Sequence, residues 1–314
     1  MYYTLDSRVR GNDSSIQVII HIMRIFTQFD DELRSLWPET TMPFYSFAWH
    51  KTWFDHFGAN EQLSIIEHGG YIAPLAIREG IAHFTGGEEI ADYLDIIIQE
   101  QLDSVSWNQI LGVLHKRSAR AVRLCNIPEG SSTLTFFNTM PNTAIEKEDT
   151  TPILTLPENF EAYLASLDRK KRHEVRRKMR RFEEEHQDIT LEERTDIDLL
   201  ITLMQNDTEK QAFLTPDMKD FFRTLPTLGL TRQFVLTLNG KPVATTLTFE
   251  VEHSLLLYNS GYTIEGSGWY LKVKLIEWAI KERFAHVNFL QGGERYKYDF
   301  GAKDFLVYRV SEKL

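Results

Sequence analysis

The sequence of 314 residues contains a single cysteine, Cys125, which excludes an internal disulfide framework and is typical of a reducing, cytoplasmic compartment. No apolar run approaches the roughly 20 residues that a membrane-spanning helix needs, so we expect no membrane span. Positive charge is scarce: the sequence has 35 Lys and Arg residues and 45 Asp and Glu residues, which gives a formal net charge of -10. This acidic balance argues against general nucleic-acid binding.

Several catalytic signatures are also missing. The sequence contains no GxSxG elbow, no Walker GxxxxGK[ST] loop, no HExxH or CxxC motif, and no dinucleotide-binding fingerprint after a strand. The ten histidines are scattered, so we expect no metal site. Cys125 lies in AVRLCNI, a pattern that indicates a buried strand and therefore a structural thiol. A serine or cysteine hydrolase and a zinc enzyme are both disfavoured.

The positive charge that is present is concentrated: nine of the thirteen residues from Arg169 to Arg181 are Lys or Arg. Spacings of three and four predict one helix over 159–185 with an apolar stripe for core packing. The stripe comprises Phe160, Leu164, Leu167, Val175, Met179 and Phe182, with Lys171 inside it. Like charges four residues apart repel, so this density favours an anion-facing role, with Arg172 and Arg176 as candidate substrate-binding residues. The alternative is a solvated helix face.

The chain is predicted to have two halves and a leader. Residues 1–22 lack periodicity and resemble a translated bacterial intergenic repeat, so we expect a disordered or mis-annotated leader with Met23 as the true start. A polar stretch near residue 150 predicts a boundary between 23–150 and 151–314. Both halves mix strands and helices, which predicts an α/β (α+β) fold.

Two segments of the second half could carry chemistry. The first is Gly266-Ser267-Gly268, which follows a predicted strand and opens a helix, so that backbone N–H groups and the helix dipole can hold a phosphate there. The alternative is a plain turn. Upstream of it, Asn239-Gly240 predicts a β-hairpin. The second segment is QGGERYKYDFG, residues 291–301.

In that closing segment, Glu294 or Asp299 could act as a general base, and Lys297 could neutralise oxyanion or phosphate charge. The alternative is a charged loop with local ion pairs of little energetic weight. A last strand is predicted over 305–310.

The second half resembles the GNAT-fold acyltransferases of the BioF2-like or CelD-like group, relatives of the Fem-type peptidyltransferases. The matching stretches are YLASLDRKKRHEVRRKMRR, LNGKPVATTLTFEVEHSLLLYNSGY, GSGWYLKVKLIEWAIKERF and VNFLQGGERYKYDFGA. The first half resembles the same family through FYSFAWHKTWFDHFG, YIAPLAIREG and FTGGEEIADYLDIII, so the likeness runs from Phe29 to the last residue.

The resemblance implies two tandem GNAT-like lobes with mixed, mostly antiparallel sheets flanked by helices. It implies acyl transfer from acetyl-CoA or another acyl-CoA, without a metal, to an amine or hydroxyl. The acceptor would be a small molecule, glycan or peptide of cell-envelope or polysaccharide metabolism. An aminoacyl-tRNA donor, as in the Fem branch, is the alternative on the same fold. A non-catalytic RNA-binding or scaffold protein using the basic helix is the alternative from another class.

The resemblance also assigns residues. Gly266, Ser267, Gly268 and Trp269 take the place of the turn that holds the pyrophosphate, although the sequence departs there from the family's usual Arg/Gln-x-x-Gly-x-Gly/Ala pattern. Asn288 stands where members often have an acidic residue, and members often have another acidic residue near the position of Thr263.

Glu294, Tyr296, Lys297 and Gly301 match the closing motif, with Glu294 and Lys297 as candidate catalytic residues and Tyr296 as a candidate substrate contact. In GNAT chemistry the acceptor attacks the acyl carbonyl directly, and a backbone N–H of a splayed strand stabilises the oxyanion. We expect that strand to be Leu255–Tyr262, with Tyr258 near the reacting centre.

Overall fold

The computed structural model describes residues 2–6, 19–98, 104–229 and 231–314. The chain forms two compact units: Met1–Thr40, Phe44–Glu148 and Val307–Leu314 make the first, and Thr41–Pro43 and Asp149–Leu306 the second. Most of the predicted leader lies outside the described residues. Its described parts form antiparallel strands, in which Tyr2–Asp6 pairs with residues 19–23.

The strands, in chain order, are β1 (Tyr2–Asp6), β2 (Ile19–Phe26), β3 (Gln62–Leu63), β4 (Ile65–His68), β5 (Tyr71–Ala73), β6 (Leu75–Arg78), β7 (Ile81–Phe84), β8 (Ile97–Ile98), β9 (Ala121–Pro128), β10 (Ala144–Thr150), β11 (Ile153–Thr155), β12 (Ile189–Glu193), β13 (Thr231–Leu238), β14 (Lys241–Val251), β15 (Ser254–Tyr262), β16 (His286–Asn288) and β17 (Leu306–Lys313). The α-helices are α1 (Asp31–Leu36), α2 (Phe47–Phe57), α3 (Ser104–Lys116), α4 (Ser132–Phe137), α5 (Phe160–Ser166), α6 (Arg169–Glu185), α7 (Ile197–Met204), α8 (Thr208–Phe213), α9 (Pro216–Thr224), α10 (Ser267–Lys281) and α11 (Arg295–Asp299).

The first unit contains two sheets. Their strand orders are β1-β2-β4-β5-β8 and β10-β17-β9-β7-β6-β3. The strand predicted over 305–310 does not extend the sheet of the second half: it is β17, which pairs antiparallel with β9 of the first unit. Val307 and Val310 are fully buried there. The first unit is therefore discontinuous in sequence, because the alternating pattern of a strand does not encode which sheet it joins.

The second unit is built on one six-stranded sheet with the order β11-β16-β15-β14-β13-β12. Asn239 and Gly240 both have positive φ, 49° and 72°, as a tight β-hairpin turn requires, and they join the antiparallel strands β13 and β14. β15 pairs antiparallel with β14 and parallel with β16. Mixed, mostly antiparallel sheets flanked by helices confirm the predicted α+β class.

The predicted single helix over 159–185 is two helices, α5 and α6. Leu167 leaves the helical conformation, and the side chain of Asp168 accepts a hydrogen bond from the Lys171 N–H at 2.9 Å, which caps a new helix. The apolar stripe nevertheless packs as predicted. Leu164, Leu167, Val175 and Phe182 are buried in the core of the second unit, and Phe160 and Met179 pack against it.

Helix α10 packs along β13, β14, β15 and β16, and α7 packs against β14 and β15. At Gly261 the approach of α7 is so close that a Cβ atom would lie 2.4 Å from the Met204 backbone nitrogen. Within the described ranges, no helix combines the length and the apolar character needed to cross a membrane.

Candidate functional site

The sheet of the second unit opens beside β15. β15 and β16 pair only where Ser254–Leu256 faces His286–Asn288. Beyond Leu256, β15 continues to Tyr262 along β14, whereas β16 ends at Asn288. The distal half of β15 therefore presents one edge that β16 does not cover, which is the splay expected for Leu255–Tyr262.

Tyr258 lies at a bulge within this strand. Leu247 pairs with Asn259 and Thr248 with Leu257, so Tyr258 is the extra residue on β15. Its ring centroid lies 4.9 Å from that of Phe249 and 6.1 Å from that of Phe222. The residue proposed from sequence to lie near the reacting centre is thus half-buried, in an aromatic group beside the splay.

Ser260 follows the bulge and directs its backbone toward the open edge. The Thr263 N–H donates to the Val243 carbonyl at 2.9 Å. Along an antiparallel pair of strands, residue pairs that exchange hydrogen bonds alternate with pairs that do not. Counted from the bonded pair of Thr263 and Val243, Ser260 and Thr246 form a pair that exchanges no hydrogen bonds. The Ser260 carbonyl instead accepts a hydrogen bond from Lys210 Nζ at 2.6 Å. Its N–H faces the same edge, where it can polarise a carbonyl group.

Two lysines approach Ser260 from helices α8 and α10. Lys272 Nζ lies 3.3 Å from Ser260 Oγ and 5.2 Å from the centre of the Tyr296 ring. Only 9% of Lys272 is exposed, and burial, aided by the charge of Lys210, lowers its pKa to about 8. Burial also lowers the pKa of Lys210.

Neither lysine was among the residues predicted from sequence. The available signal was the apolar helix segment WYLKVKLIEWAI, in which Lys272 shares the buried face with Leu275 and Ile276. Lysine is almost never fully buried without a partner, so a lysine on the apolar face of a helix indicates a specific interaction of its ammonium group.

Lys297 is buried to 1% exposure and its ammonium group is surrounded by acceptors. Nζ lies 3.1 Å from the Leu290 carbonyl, 2.7 Å from that of Gln291, 2.8 Å from that of Gly292 and 2.9 Å from Glu294 Oε2. The three hydrogen bonds to carbonyl groups hold the loop of residues 290–292, in which Leu290 and Gly292 have φ angles of +56° and +110°.

The other residues of the closing segment lie around that ammonium group. Glu294 precedes α11 and its side chain is more than half exposed, whereas Asp299 is half-buried within the helix. Tyr296 is half-buried, and burial raises the pKa of its phenol above the usual range. The structure thus brings Glu294, Tyr296 and Lys297 close to one another.

The turn at 266–269 starts α10. Gly266 has a φ of +82° and provides no side-chain cap. The Ser267 hydroxyl points inward, donating to the Ile264 carbonyl at 2.6 Å, so it is not directed at a ligand. The N–H groups of Gly268 and Trp269 lie in the first helical turn, where no preceding helical carbonyl can accept from them. They are the groups in this turn that can hold an anion.

The basic helix α6 runs beside that turn. Lys178 Nζ lies 5.2 Å from the centre of the Trp269 ring, Phe182 stacks on Tyr270 at 4.4 Å, and Tyr270 donates a hydrogen bond to Glu183 at 2.9 Å. Lys178 therefore contacts the turn through Trp269, whereas the contacts of Arg172 and Arg176 are to other residues.

The predicted arginines have partners of their own. Arg172 donates to the Ala165 carbonyl at 3.2 Å, and Arg176 pairs with Glu161 at 2.8 Å. Further along the helix Glu174 accepts from Arg177, which lowers the pKa of that carboxyl to about 2. Part of the positive charge of α6 is thus paired with carboxylates of the same unit.

The remaining candidates lie outside this region. Cys125 is buried in the first unit, and burial raises the pKa of its thiol far above the ordinary value, as expected for a structural thiol. Across the part of the chain that the structure describes, no group of three His, Cys, Asp or Glu residues is placed to hold a metal ion.

Comparison with known proteins bears on the same region. Residues 169–298 match the acetyltransferase (GNAT) domain. This GNAT match covers the basic helix, the splayed strand, the turn before α10 and most of the closing motif. No curated protein matches the sequence.

Solved structures extend the likeness to most of the chain. L-PGS from Bacillus licheniformis has a TM-score of 0.60 at 12% identity, covering 90% of this chain and 92% of that one. FemX has a TM-score of 0.56 at 11% identity, covering 82% and 90%. A tandem GNAT protein from the clavulanic acid biosynthesis pathway has a TM-score of 0.51 at 11% identity, covering 93% and 98%.

At these identities the likeness shows the fold, and it confirms the predicted tandem GNAT-like architecture. The narrower likeness to the BioF2-like or CelD-like group stays a prediction.

Proposed function

We propose that the second unit transfers an acyl group from an acyl-CoA thioester to an amine or hydroxyl acceptor. The observation that carries this proposal is the edge of β15 that β16 does not cover, toward which the Ser260 N–H is directed, within a segment that matches the GNAT domain. The reaction requires a donor site, a group that polarises the thioester carbonyl and space for the acceptor. The second unit has residues that fit the donor site and the group that polarises the carbonyl.

For the donor, the Gly268 and Trp269 N–H groups and the positive end of the α10 dipole bind the pyrophosphate. Lys178, which also pairs with Glu174 at 3.7 Å, adds positive charge beside Trp269. Gly266 leaves room, since the nearest atom to an added Cβ is in Phe182 at 3.7 Å. The acyl arm then runs along the open edge of β15 toward Ser260.

At the reacting centre, the acceptor lone pair attacks the thioester carbonyl carbon and the oxyanion accepts a hydrogen bond from the Ser260 N–H. The carbon–sulfur bond breaks, and the proton lost by the acceptor ends on the departing thiolate. Tyr258 lines the same edge at the bulge. Lys297 and Glu294 act chiefly by fixing the loop of residues 290–292, and Tyr296 covers Lys272.

Calorimetry with acetyl-CoA and longer acyl-CoA tests the donor. We expect Lys178→Ala to weaken acyl-CoA binding about tenfold, since a charge-assisted contact contributes on the order of 1.5 kcal/mol. Arg180→Ala, an exposed cation two residues away that pairs with Glu184, is the matched control and should bind normally. If the wild-type protein binds no acyl-CoA, the CoA-dependent reaction is wrong.

A second donor, an aminoacyl-tRNA, is favoured by one observation. Residues 169–172 form an uninterrupted cationic run at the start of α6, and within the described chain Arg169, Lys170 and Arg172 form no ion pair. Phosphate contacts by these residues would make tRNA affinity fall steeply with salt. Binding of charged tRNA with such a slope, together with no acyl-CoA binding, would favour this donor. Binding of RNA without any acyl transfer would instead favour the non-catalytic alternative.

We place the acceptor among the small molecules, glycans or peptides of cell-envelope or polysaccharide metabolism, and the reaction in the cytoplasm. The resemblance of the sequence to relatives of the Fem-type peptidyltransferases supports the first part, and the single cysteine supports the second. Mass spectrometry of acceptor mixtures incubated with protein and radiolabelled acetyl-CoA tests the acceptor class. Labelling of none of these classes would contradict it.

A further inference from the structure

Three lysine ammonium groups lie around Ser260 and the closing motif, from three helices. Lys210 comes from α8, Lys272 from α10 and Lys297 from α11. The charges of Lys210, Lys297 and Glu294 all act on Lys272, and Glu294 supplies the negative charge among them. Asp207 is a second carboxylate that acts on Lys210, so three ammonium groups are near two carboxylates and the local balance of charge is positive.

Glu294 does not neutralise the two lysines nearest Ser260. Its carboxylate bonds to Lys297 at 2.9 Å, and the remaining protons of Lys297 are directed at backbone carbonyls. Lys210 bonds to the Ser260 carbonyl, and Lys272 has only Ser260 Oγ at 3.3 Å and the Gly268 carbonyl at 3.5 Å. In the described part of the chain, neither Lys210 nor Lys272 forms an ion pair within 4 Å.

A buried ammonium group such as that of Lys272, with two long hydrogen bonds to neutral oxygens, is costly because it loses hydration without gaining a carboxylate in direct contact. The lowered pKa values of Lys272 and Lys210 express that cost. The Tyr296 ring covers Lys272 on one side and favours a cation there. An anionic group bound beside the two ammonium groups would remove most of the penalty.

We propose that Lys272 and Lys210 bind a carboxylate of the acyl acceptor beside Ser260. The acceptor class is then an amine or alcohol that also bears an acid, such as an amino acid, a peptide terminus or a uronic acid. A carboxylate fits because its two oxygens can meet two ammonium groups at once. The donor phosphates are assigned to the N–H groups at the start of α10, which point toward the N-terminal end of the helix, whereas Lys272 Nζ lies on the carbonyl side of that turn, 3.5 Å from the Gly268 oxygen.

The assignment of the anion to the acceptor rests on the proposed acyl transfer, whereas the anion site itself does not. The protein labelled with ¹³C at lysine Cε allows the titration of Lys272 to be followed by NMR, with its signal assigned by Lys272→Met. We expect a midpoint near 8 without ligand. Acetate should raise it by about one unit, which corresponds to tenfold tighter binding to the charged form. Acetamide, the neutral isostere, should not.

The sign of the pH dependence follows. Acetate binds the protonated lysine, so its affinity is full below pH 8 and falls as the pH rises through about 8 and above. Lys272→Arg keeps its charge and should retain acetate binding without that fall. Lys281→Met changes an exposed lysine in the last turn of the same helix and should behave as wild type.

Each outcome decides the proposal. A shift with acetate and none with acetamide supports it. A shift with inorganic phosphate but not acetate assigns the site to a phosphorylated group and overturns the carboxylate. No shift with either anion overturns the site, and a neutral Lys272 acting as a proton acceptor would then replace it. If acetate raises the pKa of Lys272 but calorimetry detects no binding of any acyl donor to the protein, the acyl-transfer proposal fails and the anion site stands.

Discussion

Lys297 shows how the surroundings of one side chain define what it can do. From its position in the closing motif the sequence suggests a free charge for an oxyanion, but the structure surrounds its ammonium group with three carbonyls and one carboxylate. An ammonium group has three protons, so these partners already saturate it. The arrangement favours a positioning role, in which Lys297 fixes the loop after β16.

Lys297→Met should lower the free energy of unfolding by about 2 kcal/mol or more, because it leaves buried carbonyls without a donor. The melting temperature would fall by roughly 4–8 °C, which differential scanning calorimetry would detect. Lys303→Met removes an exposed lysine a few residues on and should change little. An unchanged melting temperature together with abolished turnover would instead assign Lys297 the charge-stabilising role.

His50 in the first unit should make that unit sensitive to acid. It is buried to 1% exposure, Nδ1 lies 2.7 Å from Thr85 Oγ1, and Nε2 has no partner among the described residues. Burial lowers its pKa from 6.5 to about 3, so between these values the unfolded chain binds the proton and the folded chain does not. Stability therefore falls as the pH drops from 6.5 toward 3.

The slope from this one group is at most about 1.4 kcal/mol per pH unit. Chemical denaturation at pH 7, 6 and 5 would measure it for the wild-type protein and for His50→Gln, in which the dependence should be shallower. His173→Gln, an exposed histidine on α6, should keep the wild-type slope. Equal slopes in all three proteins would mean that His50 is hydrated or protonated in the folded state.

At the scale of elements, the contact of α7 with β15 should depend on the absence of a side chain at Gly261. An added Cβ would lie 2.4 Å from the Met204 nitrogen and 2.5 Å from the Leu203 carbonyl carbon, and backbone cannot rotate away as a side chain can. Gly261→Ala should therefore destabilise the protein by about 1–3 kcal/mol, as overpacking does, and shift the edge that presents Ser260.

Gly112→Ala is the matched comparison. Gly112 is exposed on α3 and an added Cβ meets nothing within 4 Å, so alanine should stabilise that helix by roughly 0.5–1 kcal/mol. Urea denaturation of both variants, with acyl-CoA binding as a second measurement, would compare them. If Gly261→Ala were as stable as the wild type, α7 would have to be free to move away from β15.

Sequence predicted those elements that local pattern encodes. The Asn239-Gly240 hairpin, the apolar stripe of α6 and the glycine turn before α10 all lie where spacing and turn chemistry put them. The break at Asp168 was missed because a capping aspartate within a long charged helix has the same local pattern as a solvated one. The surroundings of Lys272 and Lys297 were missed because they depend on residues from different helices and loops. Pairwise contacts of that kind have no periodic signal.

At the scale of the whole molecule, β17 should be necessary for the first unit. It lies between β10 and β9, and its residues Val307 and Val310 are fully buried. Deleting residues 307–314 leaves both neighbours with an uncovered edge and exposes their hydrogen-bonding groups. We expect loss of amide protection in β9 and β10, measured by hydrogen exchange.

In the same experiment β13 and β14 of the second unit should keep their protection, which provides an internal control. A full-length comparison in which Arg309→Ala removes only the ion pairs to Glu146 and Glu148 should leave β9 protected. Normal protection of β9 after the deletion would show that the first unit does not require its late strand.

The position of β17 also sets an order of events during synthesis. Every strand of its sheet except β17 leaves the ribosome before the second unit does, but the sheet lacks an interior strand until residues 307–313 emerge. The second unit is nearly continuous in sequence and can fold first, although it is made later. In a nascent chain, β9 and β10 would therefore stay open while some 150 residues are added, a delay of roughly 8–30 s at bacterial elongation rates. Exposed strand edges of that duration are a natural binding site for chaperones.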